Sequence, residues 1–185
     1  TYLNIMKAVF DGATTMNEIS GKSKVDVTNM PKYLRTLVRM RLIKKTKPVT
    51  SSPKERNYLY ELEDNYFKFW LTYVYPYKAE IEEDPESHKR FIRKDYSRYM
   101  GTIFEKFCTS LLPAALKGFE RAGRWWHKEN EIDIVALNER EKRILFAECK
   151  WKENVDAEKV LKELKEKAKL VDWNSGKRKE SYAIF

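Results

Sequence analysis

Cysteine, histidine and glutamine are scarce in this chain of 185 residues, and their scarcity argues against several kinds of site. Cys108 and Cys149 are the only cysteines, too few for a disulfide framework or a cysteine-based metal knuckle. We predict that both are small buried hydrophobic side chains. His88 and His127 stand alone in the sequence, which argues against a histidine-based metal site or a Ser-His triad. Glutamine is absent while Lys, Glu and Arg abound, a usage typical of hyperthermophile proteins.

Sequence signals for membrane insertion and for ATP binding are also missing from these residues. No apolar run approaches the roughly 20 residues of a membrane helix, and the opening residues do not have the pattern expected of a secretory leader. We therefore expect a cytoplasmic protein that does not enter a membrane. No Gly-x-x-x-x-Gly-Lys-Ser/Thr loop occurs, so these residues should not bind ATP by that route. The chain has no initiating Met and begins with helical spacing of Leu3, Met6 and Phe10, so we expect a fragment of a longer protein.

Positive charge is concentrated in the N-terminal third of the chain. The net charge is +9, and residues 1–60 hold 12 Lys and Arg against 4 Asp and Glu. Such an asymmetry favours a face that binds nucleic acid. A surface that is basic throughout is the alternative.

Residues 1–62 have the pattern of a winged helix-turn-helix. Thr15 can cap a short second helix, with Glu18 in the capping-box position. Thr28 or Asn29 can cap the third helix, in whose first turn a proline is tolerated. The predicted elements are helices over 2–10, 16–20 and 30–40, a turn over 21–23, strands from 42 and over 58–62, and a wing loop over 48–53.

The third helix of this segment is predicted to carry a basic face. Lys32, Arg35, Thr36 and Arg39 recur at helical spacing on the side away from its apolar stripe. A basic third helix suits insertion into a DNA major groove, so we predict that Lys32, Arg35 and Arg39 contact DNA. Winged helices also bind proteins, and that role is the alternative.

Residues 63–100 are predicted to form a helical bridge. Asp64 can cap a helix over 66–74, which is aromatic almost all round and should be buried between two layers. The acidic stretch 80–86 should be solvated, and 91–100 should form another helix.

Residues 101–185 have the predicted order helix, three strands, helix, strand. The elements are a helix from Gly101 to near Pro113, strands over 123–127, 131–136 and 144–152, a helix from Val155 or Asp156, and a strand over 181–185. The polar residues 138–142 should turn the second and third strands into a hairpin. The fold class is therefore α+β with α/β character: a winged helix, a helical bridge and a mixed sheet flanked by helices.

The predicted hairpin carries a group of charged side chains at one end. Alternation along the second strand places Glu148 and Lys150 on one face and Cys149 on the other. Pairing of the two strands can bring Asp133 close to Glu148. Two carboxylates and an ammonium suit a hard divalent cation. A simple solvated ion pair between Glu148 and Lys150 is the alternative.

This pattern resembles the PD-(D/E)XK nuclease superfamily, in which an Asp is followed by Glu-x-Lys on the next strand. Glu105, on the preceding helix, stands where family members carry a further acidic residue; the sequence departs from the pattern in having Ile132 where a Pro would precede Asp133. The resemblance implies that Glu105, Asp133 and Glu148 hold Mg²⁺ or Mn²⁺ and that Lys150 acts on the attacking water. It also implies DNA-backbone contacts, for which Arg124, Trp151 and Lys152 are the candidates.

The whole chain further resembles the C-terminal region of an archaeal P-loop ATPase family of the STAND/AAA-like type. The stretches that carry this resemblance are Lys32-Tyr33-Leu34, Tyr66-Phe67-Lys68-Phe69-Trp70, Tyr75-Pro76, Gly101-x-x-Phe104-Glu105, Glu131 to Ala136 and Glu148-Cys149-Lys150-Trp151. The resemblance implies an upstream ATPase module as a partner and a metal-dependent DNA endonuclease as the function. A non-catalytic module that binds DNA or protein, or that regulates the ATPase, is the alternative.

Overall fold

The computed structural model describes residues 1–52, 54–55, 58–115 and 118–185. Its contacts divide the chain into two compact units, residues 1–46 with 56–95, and residues 47–55 with 96–185. In this division the predicted bridge, 63–100, falls partly in the first unit and partly in the second. Within the described residues, no helix has both the length and the hydropathy to cross a membrane.

The first unit contains the three helices and the hairpin predicted for residues 1–62. Strands β1 and β2 pair antiparallel, with Ile43 opposite Leu62. The elements are α1 (Tyr2–Phe10), α2 (Met16–Ser23), α3 (Met30–Arg39), β1 (Ile43–Thr46), β2 (Leu59–Leu62), α4 (Asn65–Tyr73), a single helical turn (Tyr75–Tyr77) and α5 (Lys78–Glu83). The wing loop predicted over 48–53 includes residue 53, which lies outside the described residues.

Local capping explains where these helices begin. Thr15 accepts from the Glu18 backbone N–H while the Glu18 carboxylate bonds back to the cap, which confirms the predicted capping box. The Asp64 carboxylate accepts from the Phe67 N–H at 2.9 Å and begins α4 as predicted. Asn29 is the N-cap of α3, but its side chain makes no capping hydrogen bond.

Two predictions for this unit were wrong in detail. The turn expected over 21–23 is helical, and α2 ends only where Lys24 adopts a left-handed backbone (φ 58°). Gly21 is tolerated inside the helix at a cost of about 1 kcal/mol. Helix α4 is not buried all round: Leu71 and Tyr73 are buried, whereas Tyr66 is 68% exposed.

Helix α6 replaces the two helices predicted over 91–100 and from Gly101. It runs without a break over Pro85–Ala115, because glycine alone does not end a helix that its neighbours favour. At Gly101 an added Cβ would lie 3.9 Å from the Trp151 Cβ, which is an ordinary van der Waals contact, so the packing there does not require glycine. The unit boundary at residue 95 falls within this helix.

The second unit is built on a four-stranded mixed sheet in the order β3-β4-β5-β6. The first two pairings, β3 with β4 and β4 with β5, are antiparallel, and β5 pairs parallel with β6. The elements are β3 (Arg121–His127), β4 (Asn130–Asn138), β5 (Arg143–Glu148), α7 (Ala157–Ala168) and β6 (Lys179–Ile184). This confirms the predicted order of elements after α6, but β5 ends at Glu148, so Lys150 lies beyond the strand rather than within it.

Helices cover both faces of the sheet, and both faces are therefore apolar. On one face, Phe146 and its neighbours pack against Leu164 and Ala168 of α7. On the other face, Ala147 and its neighbours pack with Cys108 and Phe104 of α6. Both cysteines are buried and free, which confirms their prediction as small hydrophobic side chains.

A segment from the N-terminal half of the chain completes the sheet at its β3 edge. The Val49 N–H donates to the Arg124 carbonyl at 3.0 Å, and the Arg121 guanidinium donates back to the carbonyls of Val49 and Ser51. The Val49 side chain packs into the same cluster as Trp125. These contacts satisfy backbone groups that an open sheet edge would leave unpaired.

Candidate functional site

A β-bulge lies in β4 where the predicted site begins. The pairing with β3 shifts so that Asp133 and Ile134 together oppose the single residue Arg124; Gly123 pairs with Val135, and Trp125 pairs with Ile132. A bulge of this kind bends its strand and re-aims a side chain. Ile132 packs on the α7 side of the sheet and Ile134 on the α6 side, although a regular strand would place both on one face.

The Asp133 carboxylate turns to the neighbouring strand end. Its Oδ2 atom accepts from the Cys149 backbone N–H at 2.8 Å. In the antiparallel pair of β4 and β5, Ile134 lies opposite Ala147. The residue after Ala147, Glu148, is therefore level with the residue before Ile134, Asp133. The bulge and the register together bring Asp133 to the point where Glu148 leaves the sheet.

Glu148 is 4% exposed and is bonded by two ammonium groups. Lys150 Nζ lies 2.9 Å from Oε2, and Lys167 Nζ lies 2.7 Å from Oε1. Burial alone would raise the pKa of Glu148, but the hydrogen bonds from Lys167 and Lys150 outweigh it and lower that pKa. Glu148 is therefore held as a carboxylate inside the protein.

Lys150 and Glu105 complete the charged group around this carboxylate. Burial acts to lower the pKa of Lys150, but Glu148, with Asp133 and Glu105, raises it, so the ammonium form is retained. Desolvation raises the pKa of Glu105, which α6 presents beside the sheet. Arg124 opposes that rise, and the Glu131 carboxylate adds to it.

Asp133 has the most perturbed carboxyl of this group. Burial raises its pKa to about 7, and the Glu148 and Glu105 carboxylates act in the same direction. The hydrogen bond from the Cys149 N–H and the charge of Lys150 oppose the rise without cancelling it. With a pKa of about 7, Asp133 is partly protonated at neutral pH, chiefly because burial disfavours its charged form.

The chemistry of these oxygens fits a hard divalent cation, because a cation would stabilise the ionised form of Asp133 that burial disfavours. Glu105, Asp133 and Glu148 are the residues that could hold it. In the described part of the chain, no three acidic, cysteine or histidine residues are already arranged as a metal site. Glu148 is instead paired with lysines.

The remaining predicted residues lie around this group or in the first unit. Arg124 forms an ion pair with Glu131 on the neighbouring strand, and Lys152 is exposed. Trp151 is exposed and packs against Phe104 of α6, with ring centroids 5.4 Å apart. In the first unit, Lys32, Arg35 and Arg39 are all exposed on α3.

Sequence reasoning missed Lys167, although the sequence contains a signal for it. Lys167 lies three residues after Leu164 and four before Val171, both of which are fully buried. A lysine at an apolar-stripe position of α7 therefore must point at the sheet, where its ammonium needs a carboxylate.

Cys149 is not a candidate nucleophile despite its place between Glu148 and Lys150. Burial raises the pKa of its thiol, and the neighbouring Cys108 adds to the effect. The thiolate, which is the reactive form, is therefore disfavoured at neutral pH.

These features define a two-unit α+β protein in which a helix-flanked mixed sheet presents a buried carboxylate group at a strand end. Residues 70–162, half of the chain, match the family DUF234, described as "Archaea bacterial proteins of unknown function", and the chain belongs to this family. The chain is also similar to the uncharacterized protein MJECL04 of Methanocaldococcus jannaschii: the two are 34% identical over 179 residues, which is 92% of this chain and 40% of that protein. The chain thus spans about two fifths of the length of this curated relative. No solved structure is significantly similar to it.

Proposed function

We propose that the second unit is a metal-dependent phosphodiester hydrolase of the PD-(D/E)XK type that acts on DNA. The observation that carries this proposal is the convergence of Asp133, Glu148 and Lys150 at one strand end, beside Glu105, in a sheet with the element order of those nucleases. A pattern of carboxyl groups with strongly perturbed pKa values beside an ammonium is typical of functional sites.

Glu105, Asp133 and Glu148 would hold Mg²⁺ or Mn²⁺. When bound, the cation supplies Lewis-acid activation of the phosphodiester and of the attacking water. The chain's own contribution is the Lys150 ammonium, which donates hydrogen bonds to a phosphate oxygen as negative charge develops there. Water adds to phosphorus and releases a proton, the bond to one ester oxygen breaks, and the leaving oxygen takes up a proton.

The first unit is proposed to bind DNA as a winged helix. Its α3 presents Lys32, Arg35 and Arg39 to solvent, and the predicted role is insertion into the major groove. The module as a whole is proposed to be the C-terminal part of an archaeal P-loop ATPase. In support of a larger parent protein, the chain covers 40% of its archaeal relative.

The test is cleavage of plasmid, single-stranded and branched DNA by the chain with Mg²⁺ or Mn²⁺. Asp133→Ala and Lys150→Ala should abolish cleavage while leaving the fold intact, as far-ultraviolet circular dichroism would report. Lys177→Ala, which changes an exposed lysine of the same unit, is the matched control and should cleave normally.

Cleavage that survives in Asp133→Ala would refute the active-site assignment. If the wild-type chain cleaves none of these substrates but binds DNA in a salt-dependent manner, the non-catalytic DNA-binding module is the better description. The observation that favours this second function is the pairing of Glu148 with two lysines.

A further inference from the structure

Both carboxylate oxygens of Glu148 are occupied, each by a different lysine. Lys150 lies two residues further along the chain and bonds Oε2, whereas Lys167 reaches Oε1 from α7. A divalent cation that binds Glu148 must come close to at least one of these ammonium groups. The cation and the lysines therefore compete for the same carboxylate.

Lys167 differs from Lys150 in its surroundings on the side that faces away from Glu148. Its side chain is 29% exposed and lines an open groove of about 550 Å³ along α7. The other lining residues are Asn130, Lys159, Lys162, Glu163, Glu166 and Leu170. Lys169 bonds both oxygens of Glu166 at 2.7 Å, so one of the two acidic residues of this groove is already neutralised.

We propose that this groove receives a nucleic-acid phosphate and that Lys167 is shared between that phosphate and Glu148. Phosphate in the groove draws the Lys167 ammonium away from Oε1 and so frees Glu148 for the divalent cation. DNA and the cation then bind cooperatively, and the site assembles when its substrate is present. This inference rests on the proposed nuclease function and adds to it a substrate-contacting residue and a subsite.

The packing of α7 makes Lys167 suited to this exchange. Leu164 and Ala168 are buried against the sheet, so the helix backbone is fixed and only the lysine side chain has to turn. Its movement between two anions changes neither the core nor the strand pairing. The Lys150 ammonium stays on Oε2, so Glu148 does not become an unpaired buried charge.

Thermodynamic linkage gives the sign of the effect that Lys167 has on cation affinity. A group that stabilises the cation-free carboxylate and repels a dication weakens cation binding, so removing Lys167 should tighten it. By reciprocity, DNA should tighten Mn²⁺ binding by the same factor as Mn²⁺ tightens DNA binding; about tenfold is a typical size for such coupling. A purely structural role for Lys167 predicts the opposite sign, because a loosened site binds its cation less well.

The experiment measures Mn²⁺ affinity by calorimetry, with and without a short phosphorothioate DNA duplex, in the 185-residue chain. The wild type should bind Mn²⁺ about tenfold more tightly with DNA present, and Lys167→Met should bind it about tenfold more tightly without DNA and gain little from DNA. Lys167→Arg retains the positive charge and should restore the wild-type pattern. Lys165→Met removes a charge from α7 at an exposed position that neither lines the groove nor bonds Glu148, and it should leave the coupling unchanged.

The possible failures are distinguishable. If Lys167→Met binds Mn²⁺ no more tightly than the wild type, this inference is wrong while the nuclease proposal stands. If Lys165→Met tightens Mn²⁺ binding equally, the effect is one of general charge, and the shared lysine is again refuted. If the wild type binds no Mn²⁺ with or without DNA, the proposed metal centre and this inference fail together.

Discussion

Replacing Asp133 by asparagine should stabilise the second unit at alkaline pH, although it removes a proposed catalytic group. The folded state raises the pKa of Asp133 from 3.8 to about 7, so the folded chain holds this proton more tightly than the unfolded chain does. Between these two pH values, ionisation favours the unfolded state, and stability falls as the pH rises. Above the folded-state pKa the full destabilisation by ionised Asp133 is present, and below the unfolded-state pKa it disappears.

The size of this destabilisation follows from the change in the pKa of Asp133 on folding. Because a tenfold change in proton affinity is about 1.4 kcal/mol, raising the pKa from 3.8 to about 7 corresponds to at most about 4 kcal/mol. Asparagine keeps an amide oxygen that can accept the Cys149 N–H, so the geometry of the bulge should survive. The variant loses the attraction between Asp133 and Lys150, so we expect a net gain of about 1–3 kcal/mol near pH 8 and a smaller gain near pH 5.

Urea unfolding followed by tryptophan fluorescence measures this gain. Four of the five tryptophans lie in the second unit, namely Trp125, Trp126, Trp151 and Trp173, so the signal reports mainly on that unit. Asp172→Asn, which changes an exposed aspartate of the same unit, is the control and should show no gain that grows with pH. A gain in Asp133→Asn that is equal near pH 5 and pH 8, or no gain near pH 8, would refute the reasoning.

Two further predictions concern the start of α7 and the face of α3. The Asp156 carboxylate accepts from the Lys159 N–H at 3.0 Å, so Asp156→Ala should lower the free energy of unfolding of the second unit by about 1 kcal/mol, whereas Asp156→Asn should lose much less; equal losses in urea unfolding would contradict the cap. The exposed Lys32, Arg35 and Arg39 changed together to Gln should weaken DNA binding and reduce the slope of log K against log salt by about 3, with unchanged circular dichroism; an unchanged slope would place the DNA contact elsewhere.

The order of elements could be predicted because short-range patterns specify it. Thr15 with Glu18, Asp64 and Asp156 each cap the helix that the sequence assigns to them. Such capping involves residues three apart, so its signal is contained in a few letters of sequence. The runs of β-branched and aliphatic residues in the strands and the apolar stripe on α7 are equally local signals.

The predicted element boundaries were wrong where a single residue was expected to end a helix. Gly21 and Gly101 were expected to mark boundaries, yet both lie inside helices that continue past them. The cost of a glycine within a helix is small compared with the packing that a continuous helix gains. Lys150 was placed on a strand, but β5 stops at Glu148 and backbone bonds to Phe185 follow.

The strand pattern and a short polar turn place Asp133, Glu148 and Lys150 near one end of a hairpin, because these signals lie within residues 131–152. How the three groups are charged and paired depends on tertiary contacts. The bulge opposite Arg124 turns Asp133 onto the Cys149 N–H, and the packing of α7 brings Lys167 to Glu148. Both depend on contacts between residues far apart in the chain, and burial at that meeting point sets the ionisation of each carboxyl group.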